Sequence, residues 1–396
     1  EGKQLRERLM EIIEETAVEG SDERIKYEGL LAGLANYAKN FTSMIEFYGK
    51  SPMLAERQDR EQQLTNWINQ NKQRKQRYGE TLSVLDGLIV QSQQHKERNL
   101  IVGYMRYTTM LPTARRLYRL ANENLLEDMV REPGYQERDM IRFKSGMERI
   151  DRRYAASVDR AMLFEMIQRY ANLPGDERIP AFDHAFNIGT TLDEVALNAV
   201  LDSMYANTQL DDLDTRLAWM TKSVDEFKAS QDPFIKIAVA MYDTDMASEK
   251  KDKALSGKFM KIRPQYMQAI IAFNRDQGKP VYADANSSLR VAVGHVKGYS
   301  PQDGLRAQPF TRLEGILAKD TGNDPFDSPA EQLELIKQKQ YGDFYLEAID
   351  SVPVNFLSTL DTTGGNSGSP TLNGRAELVG LLFDGVYESI IGDWGY

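Results

Sequence analysis

Residues 362–370 read TTGGNSGSP, with Ser367 set between Asn366 and Gly368. A serine hydroxyl is a poor nucleophile at neutral pH. It needs a base to take its proton and donors to hold the oxyanion that forms on the attacked carbonyl. The glycines speak to the second need. Gly365 is free to adopt backbone angles closed to other residues, so its N–H and that of Ser367 can turn toward one point. Gly368 leaves room beside the hydroxyl, and Pro370 fixes the exit of the loop. The competing reading is a glycine-rich turn with an incidental serine, because short motifs match by accident. The longer string LDTTGGNSGSPTLNGRAELVGL is more specific than the four residues around Ser367.

Such a loop must be held by strands. Val354, Phe356 and Leu357 precede it, and Asn373-Gly374 after it is the strongest short hairpin signal, lying between two strand-like runs. Upstream, Leu289, Val291, Val293 and Val296 read as a further strand between turn residues. The C-terminal third is therefore expected to be β-rich, a partial barrel or sandwich. Residues 1 to about 275 instead carry helical spacing throughout. In the second helix Ser21 is the expected N-cap, and Ile25, Leu30, Leu34, Tyr37, Phe41 and Ile45 are expected to share a face. Pro112 suits the first turn of a later helix. The fold class is α+β and multidomain, with an all-helical domain over 1–278 and a β domain over 279–396.

The 396 residues include no cysteine, which removes a thiol nucleophile, disulfides and cysteine-based zinc sites. The formal net charge of -10 argues against nucleic acid as partner. No run of about twenty apolar residues could span a membrane as a helix. The acidic stretches DDLDTRLAWM and DTDMASEKKD lack calcium-loop spacing, TGNDPFDSP at 321–329 reads as a surface loop, and no phosphate-binding glycine loop occurs. No metal and no cofactor is expected.

The string around Ser367 resembles the end of a chymotrypsin-like serine peptidase. GGNSGSP with GLLFDGVYES resembles more closely the bacterial dipeptidyl peptidases VII and XI, and LANYAKNF at 34–41 adds to the likeness. The resemblance implies a large helical domain inserted into a double β-barrel, of which this chain would hold the helical part and the second barrel. It implies Ser367 as nucleophile, with the backbone of Gly365 and Ser367 as oxyanion donors. Asp384 would bind the free α-amino group of a peptide, together with Asn36 or Asn40, four apart on one helix. Gly385 would lie at the base of the first specificity pocket, where members selective for acidic side chains carry arginine. A hydrophobic residue is therefore expected at the second position of the substrate. The resemblance also implies peptide partners with a free N-terminus, a homodimer and a periplasmic setting.

The departure concerns the base. None of the three histidines matches the family's histidine motif: His95 lies in a polar helical stretch, His184 in or beside a loop, His295 on an expected strand. The chain opens within a helical pattern and reads as a piece of a longer protein whose triad His and Asp lie upstream, so that alone it should be inactive. Two other readings stand beside the dipeptidyl peptidase: a non-enzymatic helical and β binding protein, and a trypsin-type endopeptidase.

Overall fold

A computed structural model describes residues 1–50, 52–279, 281, 286–323 and 325–389. They form two compact units, one of residues 1–42 and 55–281, the other of residues 43–54 and 282–396.

The first unit is helical. Its elements are α1 (Gly2–Thr16), α2 (Asp22–Lys50, of which 22–42 belong here), α3 (Met53–Asn69), α4 (Lys72–Tyr78), α5 (Thr81–Ser92), α6 (Lys96–Tyr104) and α7 (Met110–Glu123). There follow α8 (Met140–Glu148), α9 (Ala156–Ala171), α10 (Pro180–Ala185), α11 (Glu194–Asn207), α12 (Leu213–Trp219), α13 (Val224–Ala229) and α14 (Pro233–Asp276). Pro112 does lie in the first turn of α7, whose buried Met110, Leu111, Ala114, Leu117, Tyr118 and Ala121 recur at three- and four-residue steps. That face packs on the first half of α14, a helix of 44 residues and so about 66 Å long at 1.5 Å per residue. Asp232 caps α14 by accepting from the N–H groups of Phe234 and Ile235 at 3.0 and 3.2 Å. Farther along α14, Ala269 and Phe273 join Leu64, Ile68 and Tyr78 in a separate small core.

The expectation for α2 holds at its cap and is corrected at its buried face. Ser21 Oγ accepts from the Arg24 N–H at 3.1 Å, as a cap should. The buried face of α2, however, is Tyr27, Leu31, Leu34 and Ala38, while Ile25, Tyr37 and Ile45 are exposed. At about 100° per residue, Ile25 lies half a turn around the helix from Leu34, nine positions on. The run TRLAWMTKSVDEF is two helices, α12 and α13, because Ser223 and Glu226 form a capping box that starts a new one. Within the acidic stretch before it, Asp212 caps α12, and Arg216 is fully buried, bonded to Asp151 and to the Leu210 and Met147 carbonyls.

The second unit holds three antiparallel ladders: β1 (Tyr299–Gln302) with β2 (Leu305–Ala307), β3 (Phe310–Arg312) with β4 (Pro353–Phe356), and β5 (Pro370–Leu372) with β6 (Leu378–Leu381). Each sheet has two strands, so the described residues do not close a barrel. The strand expected across 289–296 is not formed. Leu289, Val291 and Val293 are exposed, and only His295–Lys297 pairs, against Leu357–Thr359. Alternating valines suit a strand only where a neighbour completes the ladder and covers one face.

The β5–β6 hairpin forms, but Asn373-Gly374 is not its two-residue turn. Asn373 opens a longer loop, its Oδ1 accepting from the N–H groups of Arg375 and Glu377, and Ala376 takes the left-handed conformation at φ 62°. The Asn side chain, rather than the glycine's freedom, makes the turn. A Cβ on Gly380 would lie 2.8 Å from the Phe356 ring, so this glycine lets β6 approach β4.

Candidate active site

The loop from Thr363 to Ser369 is built of two consecutive β-turns. The Asn366 N–H donates to the Thr363 carbonyl at 3.2 Å, and the Ser369 N–H to the Asn366 carbonyl at 2.9 Å. The third residues of the two turns are Gly365, at φ 100°, and Gly368, at φ 84°. Both turns therefore need a left-handed residue at that place, as in type II, and glycine supplies it without a Cβ clash. Asn366 Oδ1 also accepts from the Thr363 N–H at 3.0 Å, tying the first turn to the second.

Ser367 is the second residue of its turn, exposed at the tip. Among the described residues its Oγ has no hydrogen-bond partner, and the N–H groups of Ser367 and Gly365 donate to no protein acceptor. Gly368 is differently placed. Its N–H donates to the Leu382 carbonyl at 2.7 Å, and the Leu382 N–H returns a bond to Ser369 at 2.9 Å. These two bonds extend the β5–β6 ladder and anchor the loop to the strand that leads toward Asp384. The arrangement offers a hydroxyl with two unspent backbone donors beside it, which is the donor set an oxyanion requires.

Asp384 and Gly385 stand three and four residues beyond β6, both exposed. Asp384 Oδ1 accepts from the Gly385 N–H at 2.8 Å. Gly385 is not left-handed, so the backbone does not require glycine there. A Cβ at 385 would instead lie 2.8 Å from Ser389 Oγ, which itself donates to the Val386 carbonyl at 2.8 Å.

Residues that sequence reasoning missed hold this segment. Tyr387 packs edge-on against Phe47, with ring centroids 5.3 Å apart, and donates from its hydroxyl to Glu46 at 3.1 Å. Ser43 Oγ donates to the Tyr387 carbonyl at 3.2 Å. Lys50 first, and then Tyr387, hold the Glu46 carboxyl below its ordinary range. The chain after Gly385 is thus pinned to residues 43–47. No spacing in the sequence signals a partnership between segments so far apart.

Asn36 and Asn40 lie in the part of α2 that belongs to the first unit, Asn36 exposed and Asn40 half-buried, with no hydrogen bond from either side chain among the described residues. The histidines stand elsewhere. His95 is left-handed at φ 56° and its Nδ1 lies 2.6 Å from Glu177; His184 is in the last turn of the short α10, beside the loop that follows. His295 pairs with Thr359 through its backbone and lies outside any strand, and its ring is not bonded to Ser367. Among the described residues no cluster of acidic and histidine side chains could hold a metal, and no helix is long and apolar enough to cross a membrane.

This fold and loop correspond to a family of peptidases. The chain belongs to the Peptidase S46 family, whose signature matches residues 1–396. It is 40% identical over 397 residues to the Asp/Glu-specific dipeptidyl-peptidase of Shewanella putrefaciens, covering 95% of this chain and 53% of that protein. It is 26% identical to dipeptidyl-peptidase 7 of Phocaeicola vulgatus, covering 93% of this chain and 50% of that protein. The chain thus spans about half the length of the curated relatives it matches. In fold it is similar to the crystal structure of Porphyromonas endodontalis DPP11 in complex with the dipeptide Arg-Glu, with a TM-score of 0.72 at 22% identity over 99% of this chain and 55% of that one.

Proposed function

We propose that the complete protein is a serine dipeptidyl peptidase that releases dipeptides from the free N-terminus of peptides. The observation that carries the reading is the exposed, unpartnered Ser367 hydroxyl beside the unspent N–H groups of Gly365 and Ser367. Ser367 gives its proton to the base and attacks the carbonyl of the second residue, the two N–H groups hold the oxyanion, and the C–N bond then breaks as the leaving amine takes that proton from the base. Water then releases the dipeptide from the acyl-enzyme. The base is supplied from outside this chain, since no histidine here is bonded to Ser367. Asp384 and an asparagine of α2, Asn36 or Asn40, pair with the α-ammonium group and so count residues from the substrate's end. A homodimer and a periplasmic setting belong to the same proposal and are supported by the family likeness alone.

The similarity does not support the hydrophobic residue expected at the second position. The relative at 40% identity is named Asp/Glu-specific, which supports an acidic residue there. Gly385 brings no charge of its own, so a cation from another position must meet the acid, because a desolvated carboxylate without a partner is costly. Two assays on the full-length protein test the proposal. A fluorophosphonate probe should label wild type and not Ser367→Ala. Dipeptidyl arylamides with a free N-terminus and Asp or Glu at the second position should be cleaved faster than those with Leu or Phe there, and N-acetylated ones not at all. Labelling of Ser367→Ala would remove Ser367 from the reaction, and turnover of acetylated peptides would favour an endopeptidase.

A further inference from the structure

Three arginines fall within five residues of α7: Arg115, Arg116 and Arg119. All three line a cavity of about 190 Å³ in the helical unit, between α7 and the first half of α14. Arg119 is spent. It forks onto Glu249, with Nη2 to Oε1 at 3.0 Å, and reaches Glu123 from Nε at 3.2 Å. Arg115 is not. Its Nε lies 3.3 Å from Asp245 Oδ2, but the N–H does not point along that line, so Nε and Nη2 are both buried and donate to no protein acceptor. A buried guanidinium donor without an acceptor is costly. Arg116 lies over the Phe143 ring, 4.7 Å from its centroid, and has no carboxylate partner among the described residues.

The cavity therefore presents the buried unspent donors of Arg115 and the exposed guanidinium of Arg116 on the α7 side, and two carboxylates, Asp245 and Glu249, on the α14 side. A dianion such as phosphate would meet those carboxylates as well as the arginines. A simple cation would meet the arginines. A molecule carrying one carboxylate and one ammonium satisfies both walls. The volume lies below the roughly 300–1,000 Å³ of pockets that hold drug-sized ligands, which sets the size at an amino acid or a dipeptide.

We infer that this cavity is a binding site for a small zwitterion, a free amino acid or dipeptide, with Arg115 and Arg116 on its carboxylate and Asp245 on its ammonium. The class of ligand is set by the cavity. That a dipeptide would be a product of the protein's own reaction rests on the function proposed above, and would make the site a sensor of product.

Calorimetry on the full-length protein tests the site without reference to turnover. The probes are dialanine, its N-acetyl form and its C-terminal amide. Dialanine should bind saturably at millimolar concentration and each capped form about tenfold more weakly, as for loss of one charged hydrogen-bonded contact. Arg116→Gln leaves the Arg119–Glu249 and Arg115–Asp245 pairs in place. Measured in an Asp384→Ala background, which removes the ammonium contact of the peptidase loop, it should still lower dialanine affinity by a similar factor at unchanged Tm. No saturable heat, equal binding of the capped forms, or unchanged affinity in Arg116→Gln would overturn the site. Loss of the heat in Asp384→Ala alone would assign the binding to the peptidase loop instead.

Discussion

Ser43 and Tyr387 are joined by a hydrogen bond from Ser43 Oγ to the Tyr387 carbonyl at 3.2 Å, across 344 positions of sequence. With the edge-on ring contact to Phe47, this bond fixes the segment that carries Asp384 and Gly385. Tyr387→Ala removes a ring pair of a kind worth about 0.5–1.5 kcal/mol and frees that segment. In the full-length enzyme, kcat/KM on free-amino dipeptide substrates should fall about tenfold or more, while Tm moves by only a few degrees. Tyr387→Phe keeps the ring and should stay near wild type. Equal kinetics for Tyr387→Ala and wild type would show that the segment is held by other contacts.

Gly365 and Gly368 are both left-handed, but only Gly365 has an unspent N–H. Gly365→Ala should cost about 1–3 kcal/mol of strain and also turn the donor away. Its kcat should fall by about 10²–10³, as for loss of one oxyanion donor. Gly368→Ala should show the strain with a smaller kinetic loss. Stopped assays and thermal melts on the two variants separate these effects, and equal kinetic losses would count against the oxyanion assignment.

At position 385 the obstacle to a side chain is Ser389 Oγ and not the backbone. Gly385→Ala should displace that hydroxyl from the Val386 carbonyl and cost about 0.5–1.5 kcal/mol, the value of one hydrogen bond. In a Ser389→Ala background the same substitution should be nearly neutral. A double-mutant cycle by denaturant unfolding reads the coupling directly, and additive costs would refute the clash.

Asp159 is fully buried beneath the N-terminus of α7. It accepts from the N–H groups of Thr109 and Met110, the latter at 3.2 Å, and from the Tyr205 hydroxyl at 2.7 Å. Burial outweighs these bonds and pushes its carboxyl up to about 6 from an ordinary 3.8. The folded protein therefore keeps a proton between about pH 4 and 6 that the unfolded chain has lost. Stability from this group is complete below pH 4, falls as pH rises through the window by about 3 kcal/mol, and is flat above it. Asp159→Asn should remove that slope from a series of urea melts, whatever it does to stability at pH 7. A slope that persists would assign the titration to another group.

The helical unit is largely legible in the sequence because amphipathic spacing repeats over many turns, as the buried run of α7 shows. The face of α2 is misjudged from spacing because Ile25, Tyr37 and Ile45 are apolar yet exposed, and hydrophobicity alone does not orient a helix with residues in two units. The loop around Ser367 is readable because its glycines answer a local demand of two turns. The contacts of Tyr387 are not, because they join distant segments and leave no period. For the same reason the valines of 289–293 read as a strand: alternation records what a strand would need, and not whether a neighbour is there to pair with it.

The membership of residues 43–54 in the second unit bears on how the chain comes to fold. That unit cannot be completed from one continuous stretch, since all of residues 55–281 lie between its two parts. During synthesis the end of α2 emerges early, and Ser43, Glu46 and Phe47 must wait for their partner until Tyr387 is made. Closing so long a loop is slow to search although its entropic cost grows only with the logarithm of its length. The helical unit has no such dependence on the chain beyond residue 281. It can therefore be complete before the last strands of the domain that bears Ser367 are made.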